Sequence, residues 1–348
     1  MSLALSSAFA LACGSSTASA PQAPTSASEW PTYGHDSGRT STNAQETLVQ
    51  KASLGSLAPA WQANIGFNGS YGSNSTPTVF GGKVYVGSSV LTGNNFLAYD
   101  VQSGQALWGA DLGHGPASCG VSLNVGIPST AVVSGSVVVV GGNDGAYYGL
   151  DAASGTVLWR HPLNLGPSAY AWSSPVVSGT TAYFGAASYC DNPSVRGELF
   201  AVSLQDGSTQ GTLFVAPPGG HGGGIWNSPA VTPDGTTLVI ASGEDNGEHY
   251  PLEQAVISVS LPALQVLQAN KQGPIGMDED FATSPVIFHD QAGRLMTGSM
   301  LKNGTFYAYD LDSLSQGPVW TQNLGVVIGA TPAFDGSYGA GGALFVVG

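Results

Sequence analysis

The chain has 348 residues, with 8 Lys+Arg against 22 Asp+Glu and a formal net charge of −14. That balance excludes nucleic acid and anionic membrane surfaces as partners on electrostatic grounds, because most of the surface would repel a polyanion. With 42% hydrophobic residues and 50 glycines, the composition is that of a loop-rich globular chain long enough to bury one large core.

Residues 1–20 are read as an export segment and 21–29 as a low-complexity tether, which leaves 30–348 for the fold. Leu3 to Ala12 is short and apolar, and Cys13 follows Leu11-Ala12 in a pattern similar to a bacterial lipoprotein leader, which makes Cys13 the residue to be lipidated. Cleavage after Ala18-Ser19-Ala20 would instead release a secreted protein. The expected location is periplasmic or cell-surface, with a lipid anchor if Cys13 is used. Removing Cys13 leaves Cys119 and Cys190 as an even pair in a compartment where disulfides persist, and both fall in loops expected on one face.

From residue 76 onward one strand signature recurs six times, at Thr76-Pro77-Thr78-Val79, Ser129-Thr130-Ala131-Val132, Ser174-Pro175-Val176-Val177, Ser228-Pro229-Ala230-Val231, Ser284-Pro285-Val286-Ile287 and Thr331-Pro332-Ala333-Phe334. The copies lie 45 to 56 residues apart. Each is followed by further β-branched and aromatic runs such as Lys83-Val84-Tyr85-Val86 and Phe96-Leu97-Ala98-Tyr99. A turn of the type Asp100-Val101-Gln102-Ser103-Gly104 then leads to a fourth strand ending at Trp108 or Trp159. No helical period is sustained. A unit of this length with four short strands is a β-propeller blade, because one small sheet cannot bury its faces alone. The prediction is an all-β propeller of about six four-stranded antiparallel blades. Its last unit stops after the second strand, and an isolated fourth strand around Trp61 is expected to pair into it. Trp108, Trp159 and Trp320 are expected between blades.

The loops before first strands and after second strands open on one face, and they carry most of the polar candidates: His114, Trp172, His221, Trp226 and Asp278-Glu279-Asp280 in the first class, Ser188, Arg196, Glu244-Asp245-Asn246 and Lys302-Asn303 in the second. Asp278 and Asp280 have the strongest chemical case, since two carboxylates two positions apart can bind a hard cation or shift each other's protonation. The absence of Cys-x-x-Cys-His removes a covalently attached c-type haem, and no nucleotide loop or serine elbow stands in its required context.

The repeats resemble the pyrroloquinoline-quinone repeats of quinoprotein dehydrogenases and of related non-catalytic propellers. Trp30-Pro31-Thr32-Tyr33-Gly34-His35-Asp36 with Arg39-Thr40 is similar to the opening segment of quinoprotein alcohol and polyvinyl-alcohol dehydrogenases. By that resemblance Asp278 is the general base and Asp280 its metal-side companion. Lys302 faces the quinone, Trp226 and Arg196 help to hold it, and Glu244 and Asn246 join Asp280 around calcium. Glu244 stands where the family places a metal-binding asparagine, and Ser188 or Tyr189 where it places a glutamate. Two functions are therefore expected. One is an exported binding or scaffold propeller, without a cofactor, that takes a protein or polymer on its loop face. The alternative is a PQQ- and calcium-dependent dehydrogenase of a small alcohol or polyol.

Overall fold

The computed structural model describes residues 26, 28–66, 75–115, 126–189, 191, 193–273, 278–325, 331–338 and 342–346. Cys13, Cys119 and Cys190 lie outside the described residues. The strands form six antiparallel sheets, each a meander in chain order. Blade 1 comprises Thr78–Phe80, Lys83–Gly87, Phe96–Asp100 and Ala106–Ala110, and blade 2 comprises Val132–Ser134, Val137–Gly141, Ala146–Asp151 and Val157–Pro162. Blade 3 comprises Val176–Ser178, Thr181–Ser188, Glu198–Ser203 and Thr209–Phe214, with the short strand Ala169–Tyr170 added to its second strand. Blade 4 is Ala230–Val231, Thr237–Ala241, Ala255–Ser260 and Gln265–Lys271, and blade 5 is Val286–His289, Leu295–Met300, Thr305–Asp310 and Trp320–Asn323. Blade 6 holds Ala333–Asp335 and Ala343–Phe345. Consecutive inner strands neighbour one another around an axis, so the chain is the all-β propeller that its repeats predict. Among the described residues no helix is long and apolar enough to cross a membrane.

Apolar burial follows from stacking sheet on sheet. The second and third strands are covered on both faces, and they read as unbroken runs: Val138, Val139 and Val140 are all fully buried, as are Val256 and Ile257. The fourth strands lie at the rim and leave Leu107, Leu158 and Leu267 exposed.

The recurring Ser/Thr of the signature acquires a physical reason here. Its hydroxyl accepts a hydrogen bond from the backbone N–H of the equivalent residue one blade back. Thr76 donates to Thr130 Oγ1 (2.9 Å), Thr130 to Ser174 Oγ (2.9 Å), Ser174 to Ser228 Oγ (3.0 Å) and Ser228 to Ser284 Oγ (2.9 Å). Buried backbone donors need partners, and this relay supplies them where blades meet. It also corrects the sequence register of the second copy by one residue: Thr130, with Ala131 in the proline position, is the equivalent of Ser174-Pro175.

The outer tryptophans pack across blade boundaries. Trp108 Nε1 donates to Ala152 O (3.3 Å) and Trp159 Nε1 to Leu204 O (2.9 Å), each indole lying over the turn glycine of the next blade, Gly155 and Gly207. Those glycines have φ of 73° and 71°, and a Cβ on either would stand 2.4 or 2.8 Å from the ring. Only glycine meets both demands. Trp320 departs from the pattern: it stacks on Phe306 of its own blade and stays 41% exposed.

Trp61 takes the position expected of a closing fourth strand, but without the ladder. Its Nε1 donates to Val101 O (2.9 Å) and its ring covers Gly104, so it occupies against blade 1 the place that Trp108 occupies against blade 2. Residues 57–66 form no strand, and among the described residues no ladder joins them to blade 6. A fourth strand is held by hydrogen bonds to a third, and among the described residues the sheet of blade 6 contains two strands.

The segment from Trp30 to Thr40 threads the axis and ties the blades together. Trp30 bridges Val79 of blade 1, and Pro31 O accepts from Val133 N of blade 2. Ser37, Gly38 and Thr40 carbonyls accept from Val231, Ile287 and Phe334 of blades 4, 5 and 6. Arg39 completes the set from a fully buried position. Its guanidinium donates to Pro229 O (2.8 Å), Thr32 Oγ1 (2.8 Å), Tyr33 O (2.6 Å), Ser174 O (3.2 Å) and Pro175 O (3.1 Å). Burial pushes its pKa down to about 10, which leaves it charged at neutral pH.

Candidate ligand-binding site at the propeller axis

Where the inner strands begin, the segment at the axis stops short of the surface and leaves a cavity of about 330 Å³. Tyr33 lies in it, its hydroxyl hydrogen-bonded to Thr331 Oγ1 at 2.6 Å. Trp172 and Trp226, on the loops before the inner strands of blades 3 and 4, give it aromatic walls, and Asn227 and the hydroxyl-bearing Ser/Thr positions complete it. Asn227 Nδ2 is fixed by Phe281 O (3.0 Å), while its Oδ1 and the indole N–H of Trp226 are buried with no hydrogen-bond partner among the described residues. Buried polar atoms left open at a cavity mark a place where a ligand or water completes the bonding.

Beside Trp226 stands the charged cluster of blades 4 and 5. Lys302 Nζ lies 5.5 Å from the centroid of the Trp226 ring, within cation–π range. It donates to Asp280 Oδ2 at 2.7 Å and to Asp278 Oδ1. Asp280 Oδ1 accepts the Glu244 N–H at 2.6 Å, and Glu244 Oε2 accepts the Asp278 N–H at 2.5 Å. The backbone closes the loop, since Lys302 N–H donates to Asp280 O at 2.9 Å. The two aspartates differ sharply, the Asp280 side chain being 9% exposed and that of Asp278 77%. Asp278 has φ of 63°, a left-handed conformation rare for a residue with a side chain.

Desolvation sets the electrostatics. Burial raises the Asp280 carboxyl above its usual range even though Lys302 and the Glu244 N–H pull it back, and burial likewise raises Glu244. Burial works against charge on Lys302 too, but Asp280 and Asp278 more than offset it and hold the ammonium above its ordinary pKa.

The structure thus brings together Asp278, Asp280, Glu244, Lys302 and Trp226. It does not bring in Arg196, whose Nε donates to Ala216 O (2.6 Å) and whose guanidinium lies 3.5 Å from the centroid of Phe214 in blade 3. The Asn246 amide turns outward to Ser194 Oγ (2.8 Å). As arranged, the acidic residues do not fit calcium. The ion wants six to eight oxygens, yet both Asp280 oxygens and Glu244 Oε2 already accept N–H groups. Among the described residues no three His, Cys, Asp or Glu side chains are grouped to hold a metal. A flat conjugated ligand fits better, given the indole walls, the ammonium and the open Asn227 Oδ1. Tyr33 and Asn227 escaped the sequence reading, and Tyr33 could not have been found by spacing, since Thr331 lies 298 positions away.

Comparison with known proteins decides the family. The profile of the outer membrane protein assembly factor BamB, a PQQ-repeat family, matches residues 49–322. The chain belongs to this PQQ-repeat, BamB-like β-propeller family. The family's outer-membrane setting puts the chain outside the cytoplasm, in line with the exported location expected from the sequence. No curated protein matches the chain. Among solved structures, the quinohemoprotein alcohol dehydrogenase of Comamonas testosteroni is 20% identical with a TM-score of 0.68, over 85% of this chain and 49% of its own. The quinohemoprotein alcohol dehydrogenase ADHIIG of Pseudomonas putida HK5 is 19% identical with a TM-score of 0.70, over 86% of this chain and 48% of its own. A europium-containing methanol dehydrogenase is 15% identical with a TM-score of 0.70, over 86% and 59%. At these identities the likeness is one of fold, and the chain spans roughly half of each of these proteins.

Proposed function

We propose that the axial cavity binds a planar quinone and that the protein oxidises a small alcohol with it. The observation that carries this reading is Lys302, held by Asp280 and Asp278 at 5.5 Å from the ring of Trp226, itself a wall of the cavity of about 330 Å³. A bound quinone would supply the two-electron acceptor. Trp226 offers it an apolar face, and Asn227 Oδ1 accepts a hydrogen bond from its rim. Lys302 donates toward a carbonyl oxygen, and Asp280 acts as the positioning residue that fixes that ammonium. Asp278 meets the substrate: it is exposed, its Oδ2 has no partner among the described residues, and it can take the hydroxyl proton.

A specific observation favours a second reading, an exported propeller that binds a protein or polymer on its loop face. Both oxygens of Asp280 are engaged within the protein, and no metal-holding group of acids stands beside them among the described residues. Titrating the protein with pyrroloquinoline quinone, with and without excess calcium, while following intrinsic tryptophan fluorescence and alcohol-dependent reduction of an artificial electron acceptor, divides the two. Stoichiometric binding with turnover lost in Asp278→Ala supports the dehydrogenase. Absence of binding with calcium in excess leaves the scaffold reading.

A further inference from the structure

At the opposite end of the axis, where the inner strands finish, lies a larger cavity of about 530 Å³. One wall is the chain from His35 to Gln45, and the other is built from Pro233 of blade 4, Ile287 of blade 5 and the Phe334–Ser337 turn of blade 6. Proline, isoleucine, phenylalanine and Ala44 make most of this lining apolar, as in pockets that take small organic molecules.

Hydroxyl and amide groups of Ser37, Thr40, Thr42, Gln45 and Ser337 share the lining, but its carboxylates, Asp36 and Asp335, face no lysine or arginine among the described residues of the wall. Asp335 Oδ1 accepts from Ser337 N (2.9 Å) and Ser337 Oγ (2.6 Å), which leaves Oδ2 without a partner among the described residues. Asp36 is held by the Thr40 N–H (3.1 Å) and the Thr40 hydroxyl. His35 supplies the independent observation. Its side chain is 7% exposed, its ring meets Trp30 edge to face at 4.8 Å, and both ring nitrogens are buried with no hydrogen-bond partner among the described residues. The Asp36 carboxylate stands 3.9 Å from Nδ1, beyond hydrogen-bond length. A buried imidazole with both nitrogens open is costly unless something polar completes it.

We propose that this cavity is a binding site for an organic cation with an apolar body, such as an amine carried on an aryl or alkyl chain. The ammonium donates to the imidazole acceptor nitrogen and to the Asp335 and Asp36 carboxylates, and the chain lies against Ile287, Phe334 and Pro233. An anion of the same shape is repelled by the Asp36 and Asp335 carboxylates, which no lysine or arginine among the described residues of the wall offsets.

Isothermal titration of the full chain with 4-phenylbutylamine, 4-phenylbutanol and 4-phenylbutyrate tests this. The amine saturates one site, the alcohol binds at least about tenfold more weakly, and the carboxylate binds more weakly still. Asp335→Asn preserves the turn acceptor for Ser337 and lowers amine affinity about tenfold while leaving the alcohol unchanged. Ala44→Trp fills the cavity and removes amine binding at an unchanged thermal midpoint. No saturable amine binding, equal affinity for all three probes, or unaltered amine affinity in Asp335→Asn of normal thermal midpoint would each overturn the proposal.

Discussion

Two cations lie close to the propeller axis, and they are solvated in opposite ways. Arg39 is fully buried and gives five hydrogen bonds to carbonyl and hydroxyl oxygens, none to a carboxylate. Lys302 is held by two carboxylates, one of them exposed, beside the Trp226 ring. Planar guanidinium, with its fixed fork of donors, suits the first place, where oxygens converge from three parts of the chain. A compact ammonium on a flexible stem suits the second, where it can exchange partners. The difference separates a charge that holds blades together from one available for chemistry.

The largest expected effect breaks the first half of that comparison. Arg39→Met removes all five donors and strands buried carbonyls of blades 3 and 4, so unfolding free energy in urea falls by about 3–5 kcal/mol, as for other disrupted buried charge networks. A loss below about 1 kcal/mol would show that water replaces the guanidinium.

Lys302→Met is expected to act more on binding than on folding. It leaves Asp280 buried without its cation, a cost of about 1–3 kcal/mol softened by protonation of a carboxyl already raised by burial. Quinone binding should drop at least about tenfold. Asp278→Asn should change stability by less than about 0.5 kcal/mol, because the side chain is exposed, yet abolish alcohol-dependent turnover. Equal stability losses in the Asp278 and Lys302 variants would erase the distinction between supporting and reacting carboxylates.

The blade boundaries offer a smaller test away from either cation. Gly155→Ala would place a Cβ 2.4 Å from the Trp108 ring at φ of 73°, with an expected loss of about 1–2 kcal/mol by thermal or urea unfolding. Gly135→Ala, also at positive φ but facing open space, should cost less, and equality of the two would mean that the indole contact contributes nothing.

A further effect is a pH dependence set by buried carboxyls away from Arg39 and Lys302. Desolvation raises Glu198 and Glu253 to about 7. Because the folded state holds these protons more tightly than the unfolded one, their contribution is fully present below the unfolded value near 4.5 and is lost as pH rises through about 7. The urea midpoint should therefore decline between pH 5 and pH 8, and Glu253→Gln should flatten part of that slope. An unchanged slope would mean that the carboxyl is solvated.

By itself the sequence determined the propeller, because the blade is a local object. Four strands joined by short turns repeat with Ser/Thr-Pro, Asp-to-Gly turns and outer tryptophans, and each mark meets another mark of the next repeat, as Ser174 meets Ser228 and Trp108 meets the turn glycine Gly155. It also carried Asp278, Asp280, Glu244 and Lys302 to one place, since loops of neighbouring blades must share a face. Tertiary structure alone decided the rest. Only packing distinguishes buried Asp280 from exposed Asp278, two residues apart. Only side-chain direction turns Arg196 toward Phe214 instead of the axis. The roles of Tyr33 and Arg39 depend on a segment that threads the whole ring, so that Thr331, Pro229, Ser174 and Pro175, the partners that tie them to the blades, lie more than a hundred residues away and leave no periodic trace in the chain.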